Sequence, residues 1–133
     1  MSVLSFRKLT PILEVVAIEP CLPFWEGLGF VKTVEVPHED RLGFAILQRE
    51  GVEVMLQTLD ALRADDAGLA IDEPPRALLF FEVTGIEELI ARAADFDVAV
   101  PDRTTFYGAR ELFVRDPAGN LIGFAEMGQA PPE

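Results

Sequence analysis

The feature that most constrains the fold is an internal repeat. When the chain is displaced by 68 positions, residues 10–57 align with residues 78–125 without a gap. The identical pairs are Glu14/Glu82, Val15/Val83, Ile18/Ile86, Glu19/Glu87 and Gly51/Gly119. These identities are few, and the stronger signal is that the predicted strands, helix and turn follow the same order in both copies. Such self-similarity predicts two copies of one structural unit.

The first copy carries signals for one helix and four strands. Pro20 suits the first turn of a helix, and Gly27 is a stop signal. Leu42, Phe44 and Ile46 alternate with other residues, which predicts a strand. The predicted elements are a strand over 11–16, a helix over 20–27, and strands over 30–36 (ended by Pro37), 41–48 and 52–58.

The second copy repeats this order. Thr84 and Glu87 have the spacing of a capping box at the start of a helix. In the gapless alignment, Phe44 and Ile46 of the first copy fall on Leu112 and Val114 of the second. The predicted elements are a strand over 77–83, a helix over 85–94, and strands over 98–103, 110–115 and 121–126.

The turn between the last two strands has favourable local chemistry. It reads Asp116-Pro117-Ala118-Gly119-Asn120. Proline presets φ for the second position of a type I turn, and Asp at the first position accepts hydrogen bonds from nearby backbone. Gly119 adopts a positive φ without strain, so a hairpin is predicted here.

These elements predict an α+β fold of two tandem βαβββ modules in one domain over residues 1–133. Module one spans about 10–58, a linker with a partial helix spans 59–75, and module two spans about 77–126. Residues 130–133 are expected to form a mobile tail. One helix covers one face of each four-stranded sheet, so the other face must be buried by the sister module or by a second chain. Two curved sheets that face each other enclose a cavity.

Composition narrows the classes of partner. The net charge is −12, from 23 acidic and 11 basic residues. This charge argues against nucleic acid, which needs a basic surface, and favours a cationic ligand, although solubility alone also explains it. No apolar run approaches the roughly 18 residues of a membrane span. Arg7 and Lys8 follow the first apolar stretch, an order unlike a signal peptide, so a cytoplasmic protein is expected.

Two stretches carry a resemblance to a known family. They are Pro11-Ile-Leu-Glu-Val15 with Phe24-Trp25 and Leu28-Gly29-Phe30, and Tyr107-Gly108-Ala109-Arg110-Glu111 with Arg115-Asp116-Pro117-Ala118-Gly119-Asn120. Together they resemble the vicinal oxygen chelate superfamily, which includes glyoxalase I, bleomycin-resistance proteins and extradiol dioxygenases. The likeness is closest to the bleomycin-resistance branch. It implies paired βαβββ modules, a homodimer and, for that branch, antibiotic resistance by sequestration of the drug.

The resemblance also implies where a metal would be bound. Enzymes of the superfamily hold a divalent metal with four side chains from the first and last strands of each module. The corresponding positions here are Thr10, Met55 (or Leu56 if the register slips), Leu78 and Gly123. None is the His, Glu or Gln that such a site needs. No metal, no other cofactor and no metal-dependent catalytic residue is therefore expected.

Other chemistry-bearing residues have simpler interpretations. His38, the single histidine, is predicted to lie in a surface loop. Cys21, the single cysteine, rules out an internal disulfide and is predicted to pack in the core from helix one. Trp25 on the same helix is predicted to lie in the core or at an interface. Glu53 and Glu82 leave open a metal-free acid–base enzyme.

Strand alternation predicts which side chains line the open faces. The set is Thr10, Ile12, Glu14, Glu53, Met55, Gln57, Leu78, Phe80, Glu82, Leu121, Gly123 and Ala125. Of these, the predicted ligand-binding residues are Glu14, Glu53, Met55, Gln57, Leu78, Phe80, Glu82 and Gly123. Tyr107 and Arg110 join them at the mouth of the hairpin, with pairing to Asp102 or Glu111 as the alternative.

The glutamates suit an apolar or aromatic ligand that bears positive charge, unless they sit at strand ends in solvent. The sequence therefore predicts a metal-independent small-molecule binding protein that sequesters an apolar or cationic ligand, such as a glycopeptide drug, in a homodimer. The arm before Thr10 is a candidate to cross to the partner. The alternative is a glyoxalase-like lyase or isomerase, or a dioxygenase-related enzyme, with an atypical site.

Overall fold

A computed structural model describes residues 3–128 of the chain. The strands are β1 Ile12–Val15, β2 Val31–His38, β3 Arg41–Arg49, β4 Val52–Thr58, β5 Leu78–Glu82, β6 Asp97–Thr104, β7 Ala109–Arg115 and β8 Leu121–Met127. The helices are α1 Leu22–Gly27, α2 Leu59–Asp65 and α3 Ile86–Arg92. Short 3₁₀ turns over Glu19–Cys21 and Ala93–Asp95 extend α1 at its start and α3 at its end. In residues 3–128, no helix is long and apolar enough to cross a membrane.

The strands form two four-stranded mixed sheets. Their orders are β1-β4-β3-β2 and β5-β8-β7-β6. In each sheet the first strand runs parallel to the fourth, and the other pairs are antiparallel. The α+β class and the two βαβββ modules are therefore confirmed.

The pairing of the first strand with the fourth follows the predicted repeat in both modules. Ile12 pairs with Met55 as Phe80 pairs with Gly123, positions that differ by 68 in each case. The third strand of each module departs from it. Gln57 pairs with Phe44, but its equivalent Ala125 pairs with Glu111 and not with Leu112. The gapless alignment of β3 with β7 is thus wrong by one residue.

Turn length explains this shift. Residues 49–52 separate the paired residues Gln48 and Glu53, whereas residues 116–120 separate the equivalent pair Arg115 and Leu121. The second hairpin has one additional residue in its turn. Every side chain of β7 therefore lies on the face of the sheet opposite to the one that the gapless alignment predicts.

The predicted hairpin turn is present. Gly119, at φ +89°, donates its N–H to the Asp116 carbonyl at 3.0 Å. The Asp116 carboxylate accepts from the N–H groups of Ala118 at 3.1 Å and Asn120 at 2.7 Å. The Asn120 side chain in turn accepts the N–H of Ala77 at 2.7 Å, which ties the turn to the start of β5.

One core joins the two modules. The helix-side faces of both sheets contribute to it, with Leu13 and Leu56 from module one and Phe124 from module two. Trp25 is fully buried and meets Phe81 across the modules at a ring distance of 6.4 Å, which confirms its predicted place in the core. The buried core members are Leu13, Val15, Ile18, Cys21, Phe24, Trp25, Leu28, Phe30, Ala45, Leu47, Val54, Leu56, Ala93, Leu112, Val114, Ile122 and Phe124.

Because this core takes the helix-side face of each sheet, the open faces point away from it. Ile12, Leu78 and Phe80 on those faces are 48%, 62% and 54% exposed. The two sheets therefore do not close around a cavity within one chain.

Three local predictions were wrong. The helix α3 begins without the Thr84 capping box: Gly85 at φ +74° precedes it, and the Glu126 carboxylate accepts the Ile86 N–H at 3.0 Å. The strand β2 continues through Pro37, because an edge strand tolerates a missing donor. His38 is the last residue of that strand and does not lie in a loop. The predicted tail over 130–133 lies outside the described residues.

Candidate functional site

The open face of module one is organised around a half-buried carboxylate. Glu14 on β1 lies beside Gln57 on β4, which lies beside Phe44 on β3. The Glu14 Oε2 atom is buried and has no hydrogen-bond partner among the described residues. Burial raises the pKa of Glu14 from 4.5 to about 7, because a charged carboxylate loses its hydration there.

The neighbouring row of this face is apolar. Ile12 pairs with Met55, and Met55 with Ile46 on β3. Val34 on β2 pairs with Ile46 and extends the row to the edge of the sheet. A ligand on this face would contact Glu14 and a flat aliphatic surface together.

The carboxylate of Glu53 has a different environment. Lys8 of the N-terminal arm forms an ion pair with it, and the Gln48 side-chain amide donates to it at 3.4 Å. Its charge is therefore already balanced within the chain. Glu14, on the neighbouring strand, has no such partner among residues 3–128.

The open face of module two is aromatic around Gly123. Gly123 pairs with Phe80 on one side and Phe113 on the other. A Cβ atom at residue 123 would lie 2.5 Å from Cε2 of Phe113, so only glycine fits beneath that ring. The phenyl rings of Phe80 and Phe113 are 6.1 Å apart, centre to centre.

A buried carboxylate that was not among the predicted site residues lies beside this aromatic pair. Glu111 on β7 is 1% exposed. It accepts two hydrogen bonds from Arg103, at 3.1 and 3.3 Å, and one from the Tyr107 hydroxyl. This hydrogen bond raises the pKa of Tyr107. The signal in the sequence was that Ala109, Glu111 and Phe113 alternate along one face of β7. The gapless alignment assigned these residues to the opposite face.

Arg110 does not belong to this face. It has the parity of Leu112 and lies on the helix side of the sheet. Its guanidinium pairs with Asp102 at 2.7 and 2.9 Å and with Glu87 on α3. The predicted alternative pairing with Asp102 is confirmed, and the one-residue shift of β7 explains the misplaced side chain.

The structure thus sorts the predicted site residues into two groups and an outlier. The module-one face carries Glu14, Glu53, Met55 and Gln57. The module-two face carries Leu78, Phe80, Glu82 and Gly123, with Tyr107 at its edge through Glu111. Arg110 is the outlier. Within one chain the two groups lie on separate sheets that face away from their common core.

A groove of about 630 Å³ lies elsewhere, between the two modules. Arg49 of module one and Arg92 of module two line it, and they donate to the carbonyls of Leu28 and Gly27 at the end of α1. These arginines cap that helix and join the modules. The open faces do not form the walls of this groove, apart from Glu82 and Met127 at its rim.

Comparison with known proteins supports the fold. No protein-family profile and no curated protein matches the chain. TioX from Micromonospora sp. ML1 superposes with a TM-score of 0.76 at 19% identity, covering 92% of this chain and 100% of TioX. A glyoxalase/bleomycin resistance protein/dioxygenase from Nocardioides gives 0.73 at 19% identity, covering 99% of this chain and 91% of that protein. The chain has the glyoxalase/bleomycin resistance/dioxygenase fold.

This fold confirms the superfamily resemblance at the level of architecture. A lactoylglutathione lyase from Agrobacterium tumefaciens is also similar, with a TM-score of 0.72, 16% identity, and coverage of 90% of this chain and 92% of that one. The three structures therefore match about equally well, and the bleomycin-resistance branch is not separately resolved. At sequence identities this low, the similarity in fold does not indicate a reaction or a ligand for this chain.

The donor set does not fit the metal that enzymes of this fold hold. The four corresponding positions bear a hydroxyl, a thioether, an isobutyl group and a hydrogen atom, at Thr10, Met55, Leu78 and Gly123. At Gly123 the space that a ligand side chain would need contains the Phe113 ring. Within residues 3–128, no three His, Cys, Asp or Glu side chains come close enough together to hold a metal ion.

Proposed function

We propose that this protein binds an apolar or aromatic small molecule bearing a positive charge, and holds it without changing any bond. The observation that carries the proposal is the Glu14 carboxylate, half-buried on an open face with Oε2 unpartnered. A buried charge without a partner is unfavourable, and a ligand cation would supply the missing counter-charge.

The surroundings of Glu14 favour the same ligand class. Ile12, Met55 and Ile46 form an apolar row beside it, which would contact the body of the ligand. The net charge of −12 would raise the local concentration of cations and speed their encounter with the site. A cationic glycopeptide drug combines both properties.

We further propose that two copies cover each other's open faces and hold the ligand between them. The open faces expose large apolar side chains, among them Leu78 at 62% and Phe80 at 54%. Contiguous apolar surface of this kind is typical of an interaction site. A second copy offers the same faces and would complete the cleft that one chain leaves open.

The donor set does not support the metal-dependent reactions of this fold. The metal-free alternative also lacks support, because Glu53 is paired with Lys8 and Glu82 lies on the other sheet. One chain therefore does not bring these two carboxylates together as an acid and a base.

Binding and metal content test the proposal together. We expect calorimetric titration to detect micromolar binding of a bleomycin-type glycopeptide or of the ethyl ester of rhodamine B, an aromatic cation. Fluorescein, an anion with a similar ring system, serves as the control and should not bind. Glu14→Gln should weaken binding of the cation about tenfold, as expected for loss of a hydrogen bond between charged groups. No binding of either cation, or stoichiometric zinc, nickel, iron or manganese in purified protein, would overturn the proposal.

A further inference from the structure

Glu111 is the most deeply buried carboxylate on either open face. It is 1% exposed and lies in register with Ala125, which is fully buried. Such a position is costly for a charge unless hydrogen bonds satisfy it. Arg103 donates two hydrogen bonds to Oε1 of this carboxylate, and the Tyr107 hydroxyl donates one to Oε2.

Both partners of Glu111 reach the surface. The Arg103 side chain is 54% exposed, and Tyr107 is 51% exposed. Arg103 uses Nε and Nη2 for Glu111, which leaves part of its fork of five N–H donors available. Glu111 therefore holds two long, half-exposed side chains in place, and such fixing lowers the entropy cost of binding.

The Arg103 guanidinium also lies next to the aromatic pair formed by Phe80 and Phe113. Its carbon atom lies 6.0 Å from the centre of the Phe113 ring, and that ring is paired with Phe80 across Gly123. The absence of a side chain at residue 123 is what lets the ring of Phe113 lie over the strand. A flat apolar surface and a fixed donor group are thus side by side.

We propose that Arg103, oriented by Glu111, binds an acidic or hydrogen-bond-accepting group of a ligand whose ring lies on Phe80 and Phe113. Arginine suits this role because its planar fork matches a carboxylate. The inference rests on the proposed function and narrows its ligand class: the molecule carries an acceptor group in addition to its positive charge. Glu111 is a positioning residue in this arrangement, and Arg103 is the contact.

A spectroscopic test needs no ligand. Tyr107 is the only tyrosine, so phenolate absorbance during an alkaline titration reports on it alone. Glu111 raises the pKa of Tyr107, and the Arg103 charge lowers it. Glu111→Gln should therefore lower the titration midpoint, and Arg103→Met should raise it. A midpoint that moves in neither variant would overturn the arrangement.

A binding test addresses the ligand class. Rhodamine B has a free carboxylate, and its ethyl ester lacks it. We expect the acid to bind about tenfold more tightly than the ester, in line with a charge-assisted hydrogen bond, by fluorescence anisotropy. Arg103→Met should remove this preference by weakening the acid far more than the ester, whose carbonyl oxygen is only a neutral acceptor. Tyr107→Phe, which keeps the guanidinium and its bonds to Glu111, is the matched control in this binding test and should retain the preference for the acid.

The outcomes separate the two proposals. If the ester binds and Glu14→Gln weakens it, but the acid has no advantage or keeps its advantage in Arg103→Met, the inference about Arg103 is overturned and the proposed function stands. If neither dye nor a bleomycin-type glycopeptide binds, both are overturned.

Discussion

Replacing Glu14 by Gln should make the protein more stable at mildly alkaline pH and leave it unchanged in acid. Burial raises the pKa of Glu14 from 4.5 to about 7 in the folded state. Between these values the folded chain binds more protons than the unfolded chain, so stability falls as the pH rises through this window. The amide of the variant does not ionise and escapes this loss.

The magnitude follows from the same displacement. Complete conversion of a pKa change from 4.5 to about 7 into free energy sets an upper bound of ~3 kcal/mol. Glu14 is only half-buried, and water screens part of its charge, so we expect a gain of about 1–2 kcal/mol.

Urea unfolding measures this difference. Trp25 is the only tryptophan and is fully buried, so its fluorescence reports loss of the core. We would compare the free energies of unfolding at about pH 5 and about pH 8, assuming equal urea slopes. Glu82→Gln, at the exposed equivalent position of the repeat, is the matched control and should show no such gain. Parallel pH profiles for Glu14→Gln and the parent protein would refute the reasoning.

Three further outcomes are expected. Gly123→Ala brings a Cβ to 2.5 Å from the Phe113 ring and should cost about 1–3 kcal/mol in urea unfolding, with recovery when Phe113→Leu is added; an unchanged midpoint would contradict the close packing. Asn120→Ala leaves the Ala77 N–H without its 2.7 Å acceptor and should cost ~1–3 kcal/mol by the same assay; a loss under about 0.5 kcal/mol would count against that bond. Burial raises the pKa of Cys21 to about 11, so the thiol should react with an aromatic disulfide only as fast as the chain unfolds, and rapid reaction of folded protein would be inconsistent with its place in the core.

The modules could be predicted because half-buried strands show their alternation in the sequence. The strand β4 has its predicted bounds, Val52–Thr58, with Val54 and Leu56 in the core and Met55 on the open face. The same alternation correctly placed Glu14 and Gly123. Side-chain parity within one strand is a local property, and local properties are accessible from sequence.

The register between strands was less accessible, because it depends on turn length. The additional residue in the Asp116–Asn120 turn moved β7 by one position relative to β3. That shift placed Glu111 on the open face and Arg110 on the helix side. A comparison of the two turns, rather than of the two strands, was the signal that would have corrected both.

Contacts between distant residues could not be predicted. From the sequence, the absence of a side chain at Gly123 is interpreted as the loss of a metal ligand. The ring of Phe113 lies above that position, so the glycine also has a packing reason. The ion pair between Lys8 and Glu53 likewise joins residues 45 positions apart, and no local pattern in the sequence indicates it.

The central claim is that a ligand cation pairs with the Glu14 carboxylate, and proton release on binding tests it most directly. Because the pKa of Glu14 is about 7, about half of the free protein holds this proton at about pH 7. Calorimetry of the ethyl ester of rhodamine B in buffers of different ionisation enthalpy should therefore show release of about half a proton per ligand, and Glu14→Gln should abolish it. Binding with no proton release, or with equal release in the variant, would contradict the account.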